Sequence, residues 1–389
     1  MRTVASSSLL LDEVNFEVNT ALDVEIGGFK VTVSWDGPSD RVFEDCFDFS
    51  SKQWYGGPEQ KEQYWPIQKG KLAHYSMISK EDDNAAVSER YWLNSAGQYI
   101  YIQPESPLFV DHHNVLDNHI CFIAEVAAPY SSKRTHNSLK YDIWFFDNAK
   151  VAQQHAVDTY LGKPSGIPDY RMIQYPVWST WARYSREIDQ DSLWAFANEI
   201  KDSGFPNAQF EIDDLWEICY GSLTVDVRKL PDLKKLVQDI KGLGFRVAIW
   251  VHPFINKDCD PWYSEALEKG TQDLPVFIRM VDKDTLWDFN NGLATLVTTL
   301  LQMNLQGYTL VLPDMIGGNG YNAKPSKELF VRWLQANAVE ICRTYTQLHA
   351  DYADEIVAAM RASVERGTPV NPPVWWLDPE DQDALAVWD

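Results

Sequence analysis

The chain has 389 residues, enough for two or three domains at about 150 residues each, or for one large barrel with a smaller companion. Its hydrophobic fraction of 45% and charged fraction of 23% are ordinary for a globular protein and exclude a disordered or fibrous chain. Acidic residues outnumber basic ones 56 to 34, and the net charge of -22 repels nucleic-acid phosphates and anionic membranes, so neither is expected as a partner.

No uncharged apolar run reaches the ~18 residues of a membrane span. Residues 1 to 16 hold one apolar triplet, Leu9 to Leu11, followed by Asp12 and Glu13, which is not the pattern of a signal peptide. That is expected of a cytosolic chain or of one whose natural start is missing. Residues 1–165 read as all-β. Period-two alternation marks Phe29 to Trp35, Tyr99 to Ile102 and Tyr141 to Phe145. Asp36-Gly37-Pro38 and Tyr55-Gly56-Gly57-Pro58 read as turns between such runs. A β-sandwich is the natural packing solution, with Pro164 to Pro168 as the linker.

From residue 166 the pattern changes to alternating strands and helices. Strand-like runs are Met172 to Trp178, Ala208 to Ile212, Arg246 to Val251, Val276 to Val281 and Tyr308 to Leu312. Helical stretches cover Asp191 to Asp202, Asp232 to Gly242 and Gly292 to Asn304. Several strands are nearly continuous apolar runs, as buried parallel strands are. A spacing of about 30 to 40 residues suits the units of a (β/α)8 barrel. A closed barrel needs eight strands, and only five are found. The region after Phe330 is mostly helical (Lys327 to Ala338, Cys342 to Glu365) and ends in a Pro- and Trp-rich piece, Pro369 to Leu377. The expected fold is α/β: an N-terminal β-sandwich (1–165) followed by an incomplete (β/α)8 (TIM) barrel (166–389).

Aromatic residues make up 13%, with 16 Trp and 18 Tyr. Most are expected in the core, although sugar-handling proteins also stack pyranose rings on such faces. The cysteines at 46, 121, 219, 259 and 342 form no CxxC, so zinc-finger spacing is absent. Cys46 and Cys121 share the N-terminal part, and Cys219 and Cys259 each follow a strand end. Two bridges with one spare thiol, or five unrelated thiols, both fit.

Barrel active sites lie at the C-terminal ends of the strands. Those ends carry Trp181 and Arg183, then Asp213 and Asp214, then Trp250 and His252, then Arg279, Asp282 and Asp284, then Asp314. There is no His or Cys ligand cluster, no phosphate loop and no GxSxG elbow, so neither metal nor cofactor is expected. Carboxylates with aromatic walls suit glycoside hydrolysis, in which one acid protonates the leaving oxygen and another attacks or assists at the anomeric carbon. Each residue also has a plainer reading. Asp213-Asp214 suits a loop cap, Asp282 and Asp284 helix N-caps, Asp314 a turn, His252 a hydrogen-bonded structural role, and Trp181 and Trp250 the core.

Phe210-Glu211-Ile212-Asp213-Asp214, Trp250-Val251-His252-Pro253-Phe254, Arg279 to Trp287 and Leu312 to Asn319 resemble glycoside hydrolase family 31. Glu44 to Phe47 and Trp54 to Glu59 resemble the β-sandwich of one of its branches. The resemblance implies a retaining α-glycosidase, α-galactosidase- or α-glucosidase-like, acting on a carbohydrate substrate. It places Asp282 on the general acid/base and Asp213 on the acid that grips the sugar hydroxyls. Trp181, Arg279 and Asp314 fall on pocket-lining positions, and Asp214, Trp250 and His252 match less well. It also suggests a secretory or extracellular setting. One departure is decisive. The family's nucleophilic Asp ends the fourth strand, between His252 and Asp282, but here Glu268-Lys269-Gly270 runs directly into Thr271-Gln272-Asp273. The acids in between, Asp258, Asp260, Glu265, Glu268 and Asp273, do not end an apolar strand. A second loss falls near Ala338 to Glu340, and the chain stops before the family's C-terminal β-domain. The expectation is therefore a shortened, impaired glycosidase. The alternatives are a non-catalytic carbohydrate-binding or regulatory isoform, and an unrelated barrel enzyme using Asp282 and His252 as acid and base.

Overall fold

The computed structural model describes residues 2–49, 52–79, 89–206, 209–251, 255–269, 278–312, 315–321, 324–336 and 343–387. The chain divides into two compact units. One joins Met1–Ile167 with Phe277–Asp314 and Ala359–Asp389, and the other joins Pro168–Val276 with Met315–Ala358.

The first unit begins with β1 (Arg2–Leu11), β2 (Val14–Asp23), β3 (Gly28–Pro38), β4 (Phe43–Asp48), β5 (Trp54–Gly56) and β6 (Leu72–Ser76). It continues with β7 (Tyr91–Asn94), β8 (Gln98–Ile102), β9 (Leu108–His112), β10 (His119–Ala124) and β11 (His136–Phe145). These form a seven-stranded antiparallel sheet, β1-β2-β3-β11-β8-β7-β5, and a four-stranded one, β4-β10-β9-β6. Alternate residues of both sheets meet in one core, where Trp92 of β7 packs on Phe122 of β10 with ring centroids 4.6 Å apart. The other face of the large sheet buries Tyr91, Tyr99 and Trp144 under α1 (Ala149–Ala156). Trp375 and Trp376 of the Pro- and Trp-rich C-terminal piece join that second core. Trp65, Trp92, Trp144, Trp333 and Trp375 are fully buried, so much of the aromatic excess serves packing.

Asp36-Gly37-Pro38 is not a turn. It ends β3, paired with Ser138, Asn137 and His136 of β11. Gly37 suits that close approach, since a Cβ would stand 3.2 Å from Val14 Cγ2 and 3.3 Å from Phe43 Cζ, a tight fit. Tyr55 and Gly56 likewise belong to β5, and the chain turns only at Gly57 (φ 82°) and Pro58.

The second unit opens with α2 (Tyr170–Gln174), β12 (Val177–Ser179), α3 (Trp181–Tyr184), α4 (Gln190–Asp202), β13 (Gln209–Ile212), α5 (Leu233–Gly242), β14 (Arg246–Ile249) and α6 (Trp262–Lys269). The strand expected over Met172 to Trp178 is thus helical at its start. The Asp169 side chain caps α2, accepting from Arg171 N at 2.8 Å, and Pro176 holds Tyr175 extended, so pairing begins only at Val177. The three strands form a parallel ladder in the order β12-β13-β14. Leu193, Phe196 and Ile200 of α4 and Leu236 and Ile240 of α5 pack on Phe210 and Ile212 of β13. A capping box of Asp189 and Ser192 starts α4.

In the first unit β15 (Ile278–Arg279) and β16 (Val311–Leu312), separated by α7 (Leu296–Leu305), form a two-stranded parallel ladder. Helices α8 (Lys327–Ala336), α9 (Arg343–Asp351), α10 (Ala353–Arg366) and α11 (Gln382–Ala386) complete the described chain. The architecture is a β-sandwich followed by an incomplete α/β barrel, whose described residues hold five parallel strands in ladders of three and two.

Two disulfides are present. Cys46 and Cys121 face each other across β4 and β10, and Cys219 is joined to Cys259. Cys342 lies outside the described residues. The second bridge ties the loop after β13 to the loop after β14 across 40 positions of sequence. Replacing both Cys219 and Cys259 by Ser is expected to cost about 3 kcal/mol in urea unfolding. An unchanged midpoint, or a peptide map without the Cys219–Cys259 link, contradicts the pairing.

His112 ends β9 on the inward-facing side that Leu108 and Val110 share, with Phe49 edge-on at 5.6 Å. Burial, with a smaller contribution from His113, pushes its imidazole down to about 3 from 6.5. The unfolded chain therefore takes up the proton first. The neutral ring's stabilisation is complete above pH 6.5 and is lost as pH falls toward 3. Between pH 7 and pH 5 the native protein should lose about 2 kcal/mol more than His112→Phe does. Equal pH slopes in denaturant titrations would rule this out.

Candidate active site

In the second unit the C-terminal ends of three parallel strands gather Ser179, Thr180, Trp181, Asp213, Asp214 and Trp250. The ladder itself sets this grouping, since Ser179 pairs with Glu211 and Glu211 with Ala248. Asp213 is half-buried, and both carboxylate oxygens are held. Ser179 Oγ donates to Oδ2 at 3.0 Å and Asp214 N donates to Oδ1 at 2.8 Å, while Asp213 N donates to Thr180 Oγ1 at 2.9 Å. The side chain is therefore oriented before any ligand arrives. Trp181 N lies 3.3 Å from Ser179 Oγ, and its indole is half-buried at the start of α3.

Asp214 turns inward and is 5% exposed. It accepts from Arg186 Nε at 3.1 Å, Tyr220 OH at 2.9 Å and Leu215 N at 2.7 Å, and it braces a loop in which Leu215 has a φ of 56°. Burial, then the hydrogen bond to Asp214, pushes the Tyr220 phenol up to about 12, which keeps it a neutral donor. The Tyr220 ring meets Trp250 edge-on at 6.1 Å, and Trp250 is fixed through its backbone. Its N donates to Ile212 O at 2.8 Å and its carbonyl accepts from Trp216 Nε1 at 2.6 Å.

In the first unit Arg279 is on β15 and Asp282 begins the loop that follows it. Asp282 is half-buried, with its carbonyl accepting from Asn291 Nδ2 at 2.7 Å. The same amide reaches Asp284 Oδ2 at 3.2 Å, and Asp284 N donates to Asn291 O at 3.0 Å. Asp284 is therefore a loop brace, and neither aspartate is an N-cap, because the next helical turn starts at Leu293 with Gly292 before it. Two buried groups support the loop from behind. Glu59 Oε1 accepts from Val281 N at 2.8 Å, and Lys283 Nζ donates to Thr295 and Thr299 hydroxyls at 3.1 and 3.0 Å. Trp287 stands 49% exposed on the same loop.

Trp181, Asp213, Asp214 and Trp250 are thus brought together at one sheet end, and Arg279 and Asp282 share one strand and its loop. His252 and Asp314 lie outside the described residues. Ser179, Thr180, Arg186, Tyr220, Glu59 and Asn291 were not singled out from the sequence. Only Glu59 carried a signal, as the end of the Trp54 to Glu59 motif. Glu44 lies near Cys46 and Cys121, but those sulfurs are bonded to each other, so the group offers no thiolate to a metal.

Residues 171–292 match the Glycosyl hydrolases family 31 TIM-barrel domain. The chain is 24% identical over 473 residues to Myogenesis-regulating glycosidase of Mus musculus, a match covering 87% of this chain and 66% of that protein, just under two thirds of its length. It is 22% identical over 517 residues to SITS-binding protein of Tetronarce californica, covering 99% of this chain and 71% of the relative. Both alignments are longer than this chain, so each relative carries internal segments with no counterpart here. A GH31 alpha-xylosidase from a soil metagenome, complexed with xylose, has the same fold with a TM-score of 0.70 at 14% identity, covering 99% of this chain and 82% of that one.

The two neighbouring aspartates should separate on mutation. Asp214→Asn turns one of two buried acceptor oxygens, which together take three donors, into an NH2 donor, and should cost about 1–2 kcal/mol in denaturant unfolding, most of it from the buried hydrogen bonds rather than the exposed Arg186. Asp213→Asn, at a half-buried side chain with one donor on each oxygen, should cost less, about 0.5–1 kcal/mol. The opposite ranking would show that Asp213, not Asp214, is the brace.

Proposed function

Residues 171–292 belong to glycoside hydrolase family 31, and on that premise we propose that the chain carries an α-glycoside site of that family in which the attacking carboxylate is missing. Asp213 grips hydroxyls of the terminal sugar, and Trp181 and Trp250 wall it. By the family resemblance, Arg279, His252 and Asp314 are assigned to substrate binding as well, and Asp282 to protonating the leaving oxygen. Asp214 is assigned to substrate binding too, and acts through its own backbone N–H, which donates to the Asp213 carboxylate. Residues 166–389 form the barrel domain and 1–165 the sandwich that precedes it. The sugar is a terminal α-galactosyl or α-glucosyl unit.

Retention of configuration takes two carboxylates roughly 5 to 5.5 Å apart, one to attack the anomeric carbon and one to protonate the departing oxygen. The second carboxylate is what the chain lacks. The observation that carries this reading is the segment between β14 and β15. Its described residues form one helix, α6, and no strand. Asp258, Asp260, Glu265 and Glu268 are all exposed, and Asp260 is engaged in capping Ser264. Asp273 lies outside the described residues. The internal excess of both relatives supports the same reading, since a strand with its loop is the kind of block an alignment longer than the chain requires.

Hydrolysis by this chain is accordingly weak or lost, while the sugar-gripping side remains. A binding role without turnover rests on the same loss. The purified chain should cleave aryl α-galactosides and aryl α-glucosides at least roughly three powers of ten more slowly than a version with the missing segment restored from the mouse relative. Calorimetry should still detect galactose- or glucose-terminated oligosaccharides, with the heat lost in Asp213→Ala. Turnover equal to that of the restored version, or titrations flat for both sugars, would overturn the proposal.

A further inference from the structure

The first unit holds a cleft of about 580 Å³ beside the edge of its four-stranded sheet, lined by residues that the glycosidase reading does not use. A β-bulge shapes it. Leu72 of β6 pairs with His112 of β9, but the register then slips, so that Tyr75 pairs with Val110. His74, at the slip, has a φ of 43°, and its N–H is taken by the Asp111 carboxylate. Leu72, Tyr75 and His112 all line the cleft. Bulges of this kind recur where a sheet edge is re-aimed to make a site.

His112 is the feature that calls for a ligand. It is 3% exposed, and its Nε2 has no hydrogen-bond partner among the described residues. Leaving such a nitrogen unmet costs about 1–3 kcal/mol, and folded proteins rarely keep one without a use. Because burial keeps the ring neutral, it offers one N–H and one lone pair, the match for a hydroxyl rather than for a bare anion. Tyr64 forms a second wall. Its ring leans on Phe289 with centroids 4.9 Å apart, and it lies so close to Gly70 that a Cβ there would stand 2.9 Å from Cδ2. A braced, half-exposed aromatic plane of this kind supports the C–H face of a pyranose. Gln60 and Gln63 add amides, and the volume suits a short oligosaccharide.

The charge of the lining narrows the class. Lys61, Lys69 and Lys71 stand against one acid, Glu62, on a chain whose net charge is -22. Lys71 is exposed and makes no ion pair among the described residues. A local excess of cations on an acidic protein concentrates anions at that spot.

We propose that this cleft is a second carbohydrate site, for a saccharide bearing a carboxylate or sulfate. A sugar ring lies on Tyr64, a hydroxyl meets His112, and the acidic group faces Lys71. The site needs no turnover, so it stands or falls apart from the glycosidase reading.

The test is calorimetry on the full chain with 3′-sialyllactose, 3′-sulfated lactose and a digalacturonate, with lactose as the neutral control. At least one acidic probe should bind about tenfold or more tightly than lactose. Lys71→Glu and His112→Phe should each weaken that probe about tenfold, and Tyr64→Ala should weaken it at least as much. Lys71 and Tyr64 are on the surface, so these variants decide the matter even if the buried His112→Phe proves unstable. The proposal is overturned if all three acidic probes fail to bind, if lactose binds as tightly as they do, or if Lys71→Glu and Tyr64→Ala leave binding unchanged.

Discussion

Cleaving a glycosidic bond with retention requires two carboxylates on opposite sides of one carbon, and a parallel barrel meets that demand by presenting different strand ends to a common mouth. Each carboxylate is only as well placed as the strand beneath it. On the reading proposed for this chain, the requirement is met on one side. Asp213 inherits its position from the β12-β13-β14 ladder and is held by Ser179 Oγ and by the backbone N–H of Asp214. Asp282 inherits its position from β15 and from the Asn291 amide that clips its loop. No comparable support for an attacking acid exists among the described residues between β14 and β15.

The candidate site is organised largely by residues outside the set proposed to touch a sugar. Asp214 takes three donors and is 5% exposed, whereas Asp213 is half-buried, which makes the Asp213-Asp214 pair a division of labour rather than a duplicated acid. Asp284 and Asp282 divide in the same way, with Asp284 folded onto Asn291. The Cys219–Cys259 bridge then links the loop that carries Asp214 and Tyr220 to the loop that follows Trp250. Neighbouring acids at a strand end are therefore poor guides to chemistry until their hydrogen bonds are counted.

Much of the fold could be read from residue patterns. Period-two alternation located β3, β8 and β11, four of the five parallel strands fall within the expected runs while β12 starts five residues later than expected, and both cysteine pairs formed as one of the open readings allowed. The misreadings have local causes. Met172 to Gln174 are apolar enough for a strand, but the Asp169 cap made them helical. Asp36-Gly37-Pro38 has turn composition, yet its glycine serves close approach within a ladder. The support for Asp213 and Asp282 was least visible. Ser179, Tyr220 and Asn291 are unremarkable residue types, and Glu59 acts on a backbone N–H 222 positions away in sequence. Such roles depend on which segments meet, and no periodicity encodes that.

The central claim is that no carboxylate in this chain can attack an anomeric carbon. Its most direct test is intact-mass spectrometry after prolonged incubation with 5-fluoro-α-galactosyl fluoride and 5-fluoro-α-glucosyl fluoride, reagents that leave a long-lived glycosyl ester on a retaining nucleophile. The account predicts an unmodified mass with both reagents, while a version with the missing segment restored gains one fluoroglycosyl unit. A single stoichiometric adduct on an aspartate or glutamate of the present chain would contradict it.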